Sequence, residues 1–254
     1  MVVPPVVIVA TNDNDERAIA LARQLSLPLV PVHVALSPAC IAYLHYRNDR
    51  LQLFPADAKQ SGPVSVDFIS GAITHRLQAG VELIVKAVKG RNKSELRVID
   101  ATAGLGRDSF VLAARGFDVT MIERNAIVAA LLADGLRRAQ ESSIAAIVER
   151  MHLHRGDAMN FCATLLDEQR PDVIYLDPMF AATEKSALVK KDMRLFRQLL
   201  GETENDDIEL LRCARATARL RVVVKRASKA HCFAGVEPAY AVCGKAVRFD
   251  IYPV

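Results

Sequence analysis

At 254 residues, with 51% hydrophobic and 24% charged content, the chain has an ordinary globular composition and is long enough to bury a sizeable core, in one large domain or a domain with an appendage. That balance excludes a disordered or fibrous chain, and a net charge of +4 is too mild to point to a partner. The five cysteines, Cys40, Cys162, Cys213, Cys232 and Cys243, are odd in number and scattered, with no C-x-x-C pair or His/Cys ligand spacing; buried free thiols in a reducing cytoplasm are expected.

Residues 1–10 are apolar but lack a basic flank and are interrupted by prolines, so they read as a strand over 6–10, not a signal peptide or membrane span. A helix is predicted over 15–25, where Ala18, Ile19, Ala22 and Leu25 recur at helical spacing. Strand pieces are expected over 29–35 and 51–54, while 41–46 fits no single state. Ser61-Gly-Pro63 marks a break. Residues 1–63 therefore read as a small α/β appendage and 64–254 as the main domain. A helical stretch over 73–88 carries His75 and Arg76; His75 faces either a substrate or phosphate, or is simply a polar residue of the helix surface.

From residue 96 the pattern alternates strand and helix, which predicts a mostly parallel sheet with right-handed crossovers and helices on both faces. Its centre is the stretch 96–108, where an apolar run meets Gly104 and Gly106 and then a helix beginning near Leu105. Glycines there allow backbone angles closed to other residues and a close ligand approach. A second strand over 118–122 ends at Glu123, placed to accept hydrogen bonds from both hydroxyls of a ribose. Ser109 stands where a G-x-G-x-x-G fingerprint has its third glycine. S-adenosylmethionine, which carries an adenosine but no pyrophosphate, fits this pattern better than NAD. After the second strand comes a helix over 126–139. A third strand over 151–154 then leads to Gly156-Asp157-Ala158, where Asp157 either reaches an adenine amino group or simply forms a turn.

The fourth strand, 172–177, runs into Pro178-Met179-Phe180. A carboxylate, a proline and an aromatic ring in succession resemble the D/N-P-P-Y/F loop of amino-group methyltransferases, with Met179 at the second proline. In that loop the acidic side chain and the next carbonyl accept hydrogen bonds from an exocyclic amino group while the ring stacks on the base. Asp177 would also stabilise positive charge developing on the nitrogen. Further on, a helical segment over 184–200 bears Lys185, Lys190, Lys191 and Arg194, and a strand over 219–226 ends at Lys225 and Arg226; a last strand covers 246–252. The acidic cluster between Glu202 and Glu209 gives way to a stretch reaching Glu237 with seven Lys/Arg and no carboxylate, which suits a basic, nucleic-acid-facing surface or merely solvated element ends.

Assembled, these motifs resemble the bacterial ribosomal RNA small subunit methyltransferase J family. The resemblance rests on Val66-Asp-Phe68, Gly71-Ala72, His75-Arg76, Asp100-Ala-Thr-Ala-Gly-Leu-Gly-Arg-Asp108, Glu123-Arg-Asn125 and Val128-Ala-Ala-Leu-Leu132. It continues through Tyr175-Leu-Asp-Pro-Met-Phe180, Lys185-Ser-Ala-Leu-Val-Lys-Lys191, Arg221-Val-Val-Val-Lys-Arg226 and Arg248-Phe-Asp-Ile-Tyr252. It spans about residues 64–252 and includes the family's own Asp-Pro-Met-Phe.

The resemblance implies a Rossmann-like class I fold with a seven-stranded sheet, S-adenosylmethionine as cofactor, no metal, and N2 methylation of a guanosine in 16S ribosomal RNA, in naked RNA or the 30S particle. It carries cofactor contacts onto Arg107 and Asp108, Glu123 and Arg124, Asp157 and Ala158, and Asp177. The third pair departs from the family pattern, where small hydroxyl residues can stand. The methionine end of the cofactor is expected near Asp100 and Gly104. The target base is expected against Asp177, the Pro178 carbonyl and Phe180, with His75, Arg76, Lys185, Lys190, Lys191, Arg194, Lys225 and Arg226 towards the RNA. Other amino acceptors, DNA adenine or protein glutamine, stay open, as does a non-catalytic RNA-binding protein of ribosome assembly.

Overall fold

The computed structural model describes residues 6–57, 62–70, 81–91, 96–178 and 207–254. The chain forms two compact units. The first comprises the described residues up to Val66 together with Ala130–Gly135; the second comprises those of 67–129, 136–178 and 207–254.

The first unit is a four-stranded sheet in the order β2-β1-β3-β4, formed by β1 (Val6–Ala10), β2 (Leu29–Pro31), β3 (Ala42–Arg47) and β4 (Arg50–Pro55). All five residues of β1 are buried, as a central strand covered on both sides requires. Helix α1 (Glu16–Leu25) starts where the Asp15 carboxylate accepts the Ala18 N–H at 3.1 Å and ends at Ser26 in the left-handed conformation. Asn48 and Asp49, with φ of 52° and 59°, make the two-residue turn of the β3–β4 hairpin. The undecided stretch at 41–46 is thus a strand. The expected strand over 29–35 stops at Pro31, because β1 ends at Ala10, whose carbonyl accepts the Val32 N–H. Buried Asp134 accepts the Leu51 N–H at 3.0 Å, anchoring β4.

The second unit is built on a seven-stranded sheet in the order β10-β11-β9-β8-β5-β6-β7. Its strands are β5 (Arg97–Asp100), β6 (Asp118–Glu123), β7 (Met151–Arg155), β8 (Val173–Leu176), β9 (Arg221–Ala227), β10 (Tyr240–Cys243) and β11 (Val247–Pro253). The helices are α2 (Val81–Lys89), α3 (Arg107–Ala113), α4 (Ala126–Gln140, of which Ala130–Gly135 is counted with the first unit), α5 (Ala145–Val148), α6 (Ala158–Ala163) and α7 (Asp207–Thr217). Strands β5 to β9 run parallel, while β11 pairs antiparallel with both β9 and β10. The expected mostly parallel sheet is therefore present, and its one reversal lies at β11.

Continuous apolar runs at Val173–Leu176 and Val222–Val224 form the centre of the core, every residue fully buried. One side packs Ile99, Ile122, Ile174, Leu176, Val222 and Val224 against Leu211, Ala214 and Phe233. Elsewhere in the unit, Phe68 stacks on Phe110 with ring centroids 5.1 Å apart. Helix α3 begins at Arg107, two residues later than the sequence pattern indicated, because Gly106 serves as its left-handed N-cap. Helices α5 and α6 escaped the sequence reading because four and six residues cannot display a helical period. All five cysteines are free, but only Cys40 and Cys162 are buried, and Cys243 is exposed, which corrects the expectation of uniformly buried thiols. No helix among the described residues is long and apolar enough to cross a membrane.

Candidate active site

Parallel strands end on the same edge of a sheet, and four chemistry-bearing turns meet at that edge. The first follows β5. Its chain is held between neighbouring strands: the Ala101 N–H donates to the Tyr175 carbonyl at 3.0 Å and the Ala103 N–H to the Ile122 carbonyl at 3.1 Å. Gly104 and Gly106 turn it with φ of 55° and 70°, left-handed angles that cost glycine nothing. Asp100, only 2% exposed, braces this turn from within. Its carboxylate accepts the Thr102 N–H at 3.2 Å and the Ser109 hydroxyl at 2.5 Å. Burial pushes the Asp100 pKa up to about 7; the Ser109 hydrogen bond opposes that rise, and the nearby charges of Asp108 and Asp177 add to it. Ser109, the departure from a third glycine, thus has a purpose of its own: fully buried, it ties α3 back to the turn.

Glu123 closes the second turn. One of its oxygens accepts the Gly104 N–H at 2.9 Å and the other the Asn125 N–H at 2.7 Å. Burial raises its pKa, and those two N–H groups work against the rise. A carboxylate offers about four lone-pair sites, so Glu123 keeps acceptors for ribose hydroxyls after both backbone bonds are made. The glycine turn and the acid expected to share a nucleoside are therefore joined by a hydrogen bond, and the donor set fits S-adenosylmethionine. In the third turn, the Gly156 N–H donates to the Glu123 carbonyl at 3.0 Å, while Asp157 caps α6 by accepting the Asn160 N–H at 2.9 Å. The turn-forming reading of Asp157 is real, and one of its oxygens is already engaged. Ala158 is buried, leaving contacts to its main chain; Arg107 is half-buried and Arg124 exposed beside the turns.

The fourth turn follows β8. The Asp177 N–H donates to the Thr102 hydroxyl at 2.6 Å, which locks the β8 end to the glycine turn. The Lys225 ammonium bridges two carboxylates, at 2.8 Å from Asp177 Oδ2 and 2.7 Å from Asp108 Oδ2. Tyr175, fully buried, donates its hydroxyl to the same Asp108 oxygen at 2.7 Å. Burial alone would depress the Lys225 pKa, but Asp108 and Asp177 outweigh it and hold the ammonium above lysine's ordinary value. Burial, with Asp108 and Asp177 behind it, lifts the Tyr175 phenol well above its ordinary range, so it acts as a neutral donor.

This arrangement corrects the expectation that Lys225 and Arg226 face RNA. Lys225 is turned into the acidic cluster, and Arg226, 7% exposed, donates through Nε and Nη2 to the His231 carbonyl at 3.0 and 2.7 Å. Successive strand residues point to opposite faces, and both faces are covered here. The basic stretch that precedes Glu237 is likewise dispersed: Arg212 pairs with Glu209 and Arg219 donates to the Asp167 carbonyl. Pro178 follows at the end of β8, half-buried. Phe180, His75, Arg76, Lys185, Lys190, Lys191 and Arg194 lie outside the described residues. Sequence reading missed Thr102, Tyr175 and the inward role of Lys225. The available signal was register: Lys225 follows Val222–Val224 as Asp177 follows Val173–Leu176, and the two strands are neighbours.

Comparison with known proteins agrees with this geometry. The family model described as a putative SAM-dependent methyltransferase matches residues 29–254. The ribosomal RNA small subunit methyltransferase J of Thioalkalivibrio sulfidiphilus is 45% identical over 96% of this chain and 95% of its own. The protein of the same name from Ectopseudomonas mendocina is 49% identical over 83% of this chain and 82% of its own. Among solved structures, a SAM-dependent methyltransferase from Neisseria gonorrhoeae is 40% identical, with a TM-score of 0.74 over 98% of this chain and 95% of that one. With a family model over most of the chain and relatives 45–49% identical over most of its length, the chain belongs to the ribosomal RNA small subunit methyltransferase J family of S-adenosylmethionine-dependent enzymes.

Proposed function

We propose that the chain methylates the exocyclic N2 amino group of a guanosine in 16S ribosomal RNA, as naked RNA or within the small subunit. The observation that carries this reading is the position of Asp177: a half-exposed carboxylate at the end of β8, tied through Thr102 to the glycine turn that Glu123 also grips. The relatives' names supply the ribosomal RNA, and the Asp-Pro-Met-Phe loop supplies the amino acceptor.

Bound S-adenosylmethionine supplies the electrophilic methyl group; the chain supplies alignment and electrostatics. Glu123 accepts from the ribose, with Arg107, Asp108, Arg124, Asp157 and Ala158 beside the remaining parts of the cofactor. Asp177 and the Pro178 carbonyl accept hydrogen bonds from the N2 amino group of a guanine turned out of its stack, and Phe180 stacks on the base. An amino group held there would be oriented towards the methyl group that the bound cofactor supplies. As the nitrogen gains positive charge, the Asp177 carboxylate stabilises it. Residues 1–63 form an appendage to the methyltransferase domain at 64–254, and the RNA substrate assigns the enzyme to the cytoplasm. His75, Arg76 and the basic residues among 185–194 contact the RNA backbone.

The test is transfer of labelled methyl to small subunits lacking the modification and, in parallel, to their stripped RNA, followed by nucleoside mass analysis. N2-methylguanosine is the expected product. N6-methyladenosine or a methylated protein would reassign the acceptor, and cofactor binding without any product would make the chain a binding protein. Asp177→Ala is expected to lower turnover by about 10²–10³-fold with an unchanged thermal melt; near-normal turnover would remove Asp177 from the reaction.

A further inference from the structure

Lys225 is a lysine in the wrong place for a phosphate contact. The β8–β9 ladder pairs Val173 with Arg221 through Leu176 with Val224, and one step further the same register sets Asp177 opposite Lys225. Both side chains leave the sheet on the face that carries Tyr175. The Lys225 side chain is 20% exposed and its Asp108 partner 13%, whereas Asp177, at 38%, is the most exposed of the three. Exposed ion pairs hold geometry poorly, because flexible side chains exchange partners with water. Here the lysine is fixed at both ends, and its Asp108 anchor is braced by the Tyr175 hydroxyl.

We infer that Lys225 is a positioning residue for methyl transfer: bridging Asp108 and Asp177, it fixes the Asp177 carboxylate in one orientation and keeps it ionised as an acceptor for the substrate amino group. This rests on the amino-acceptor reading above. The reaction forms the N–CH3 bond, breaks CH3–S, and leaves a nitrogen that must lose one proton. A carboxylate that already shares an ammonium is a weak base, so Asp177 serves as an acceptor and that proton passes to water. Among the described residues, Lys225 faces Asp108 from α3 and Asp177 from β8, with Asp100 of β5 and Tyr175 of β8 coupled to both of those carboxylates, while β11 pairs it with uncharged Phe249. Without the ammonium, Asp108 and Asp177 lose the cation they share, and Asp177 takes up a proton at higher pH.

Full-length wild type, Lys225→Met and Lys225→Arg are compared on small subunits lacking the modification, from pH 5.5 to 9. The methionine variant is expected to lose about 10²-fold in kcat, to keep its KM for S-adenosylmethionine within roughly threefold, and to show an acid limb displaced upward by about one pH unit or more. Arginine, which keeps the charge, is expected to recover most of that loss and to return the limb to its wild-type position. Unchanged kcat and an unmoved limb in Lys225→Met overturn the inference, as does an arginine variant whose limb matches that of methionine. If Lys225→Met does not melt like the wild type, Lys225→Gln is read by the same criteria. Wild type that methylates an acceptor other than guanine N2 sinks the guanosine reading alone, and the Lys225 comparison is then made on that acceptor.

Discussion

Asp100 is ionisable, almost wholly buried, and displaced in pKa to about 7 from an ordinary carboxylate value of 3.8. Between those values the folded state binds a proton that the unfolded state has released, so stability falls as pH rises through that window and is level above it. From pH 5 to pH 8 the contribution lost is on the order of 3 kcal/mol, since each pKa unit is worth about 1.4 kcal/mol. Asp100→Asn retains an oxygen for the Thr102 N–H and a polar partner for Ser109 but cannot ionise. Relative to this variant, the wild type should become less stable on going from pH 5 to pH 8. At about 2–4 °C per kcal/mol for a chain of this size, the difference in melting temperature between the two proteins should move by roughly 5–10 °C. Differential scanning calorimetry at the two pH values measures it, and Glu123 and other shared groups cancel in the comparison. A gap that stays constant within 2 °C (roughly 0.5–1 kcal/mol) would show that Asp100 keeps an ordinary carboxylate pKa despite its burial.

Two further substitutions probe other links. Glu123→Gln removes the charge that grips Gly104 and, on the proposed reading, accepts from the ribose; a hydrogen bond to a charged group is worth about 1.5–3 kcal/mol, so the Kd for S-adenosylmethionine should rise by roughly 10–100-fold in a calorimetric titration. Gly135→Ala should destabilise the fold by about 1–3 kcal/mol in chemical denaturation, although alanine is normally the better helix former. The added Cβ would meet Val66 Cγ1 at 2.4 Å and Cβ at 2.6 Å in the first unit, and a variant more stable than wild type would show that Val66 yields freely.

The succession of strands along the second unit was readable where apolar runs alternate with helical periods, as from Leu96 to Leu176, because local pattern and tertiary burial demand the same residues there. Glu123 and the glycine turn were legible for a related reason: a charged residue or a glycine pair that ends an apolar run has few structural uses. What escaped depends on neighbours that are distant in sequence. Asp100 and Ser109 meet across nine positions, Tyr175 and Asp108 across 67, and Lys225 and Asp108 across 117. Composition cannot distinguish a lysine that seeks phosphate from one that seeks a buried carboxylate. Strand β10 was missed for the opposite reason, since an edge strand with exposed Tyr240 and Cys243 carries no strong burial pattern.

Strand β11 follows both β9 and β10 in the chain yet lies between them. The sheet therefore cannot be laid down in the order in which the polypeptide is made. While only residues up to Cys243 are available, β9 presents a bare, strongly apolar edge, and β10 has no ladder to join; seven more residues, Val247–Pro253, complete both pairings together. Placing β11 therefore forms two ladders at once. Until it occurs, the exposed edge of β9 is where a growing or truncated chain is most open to pairing with another copy of itself.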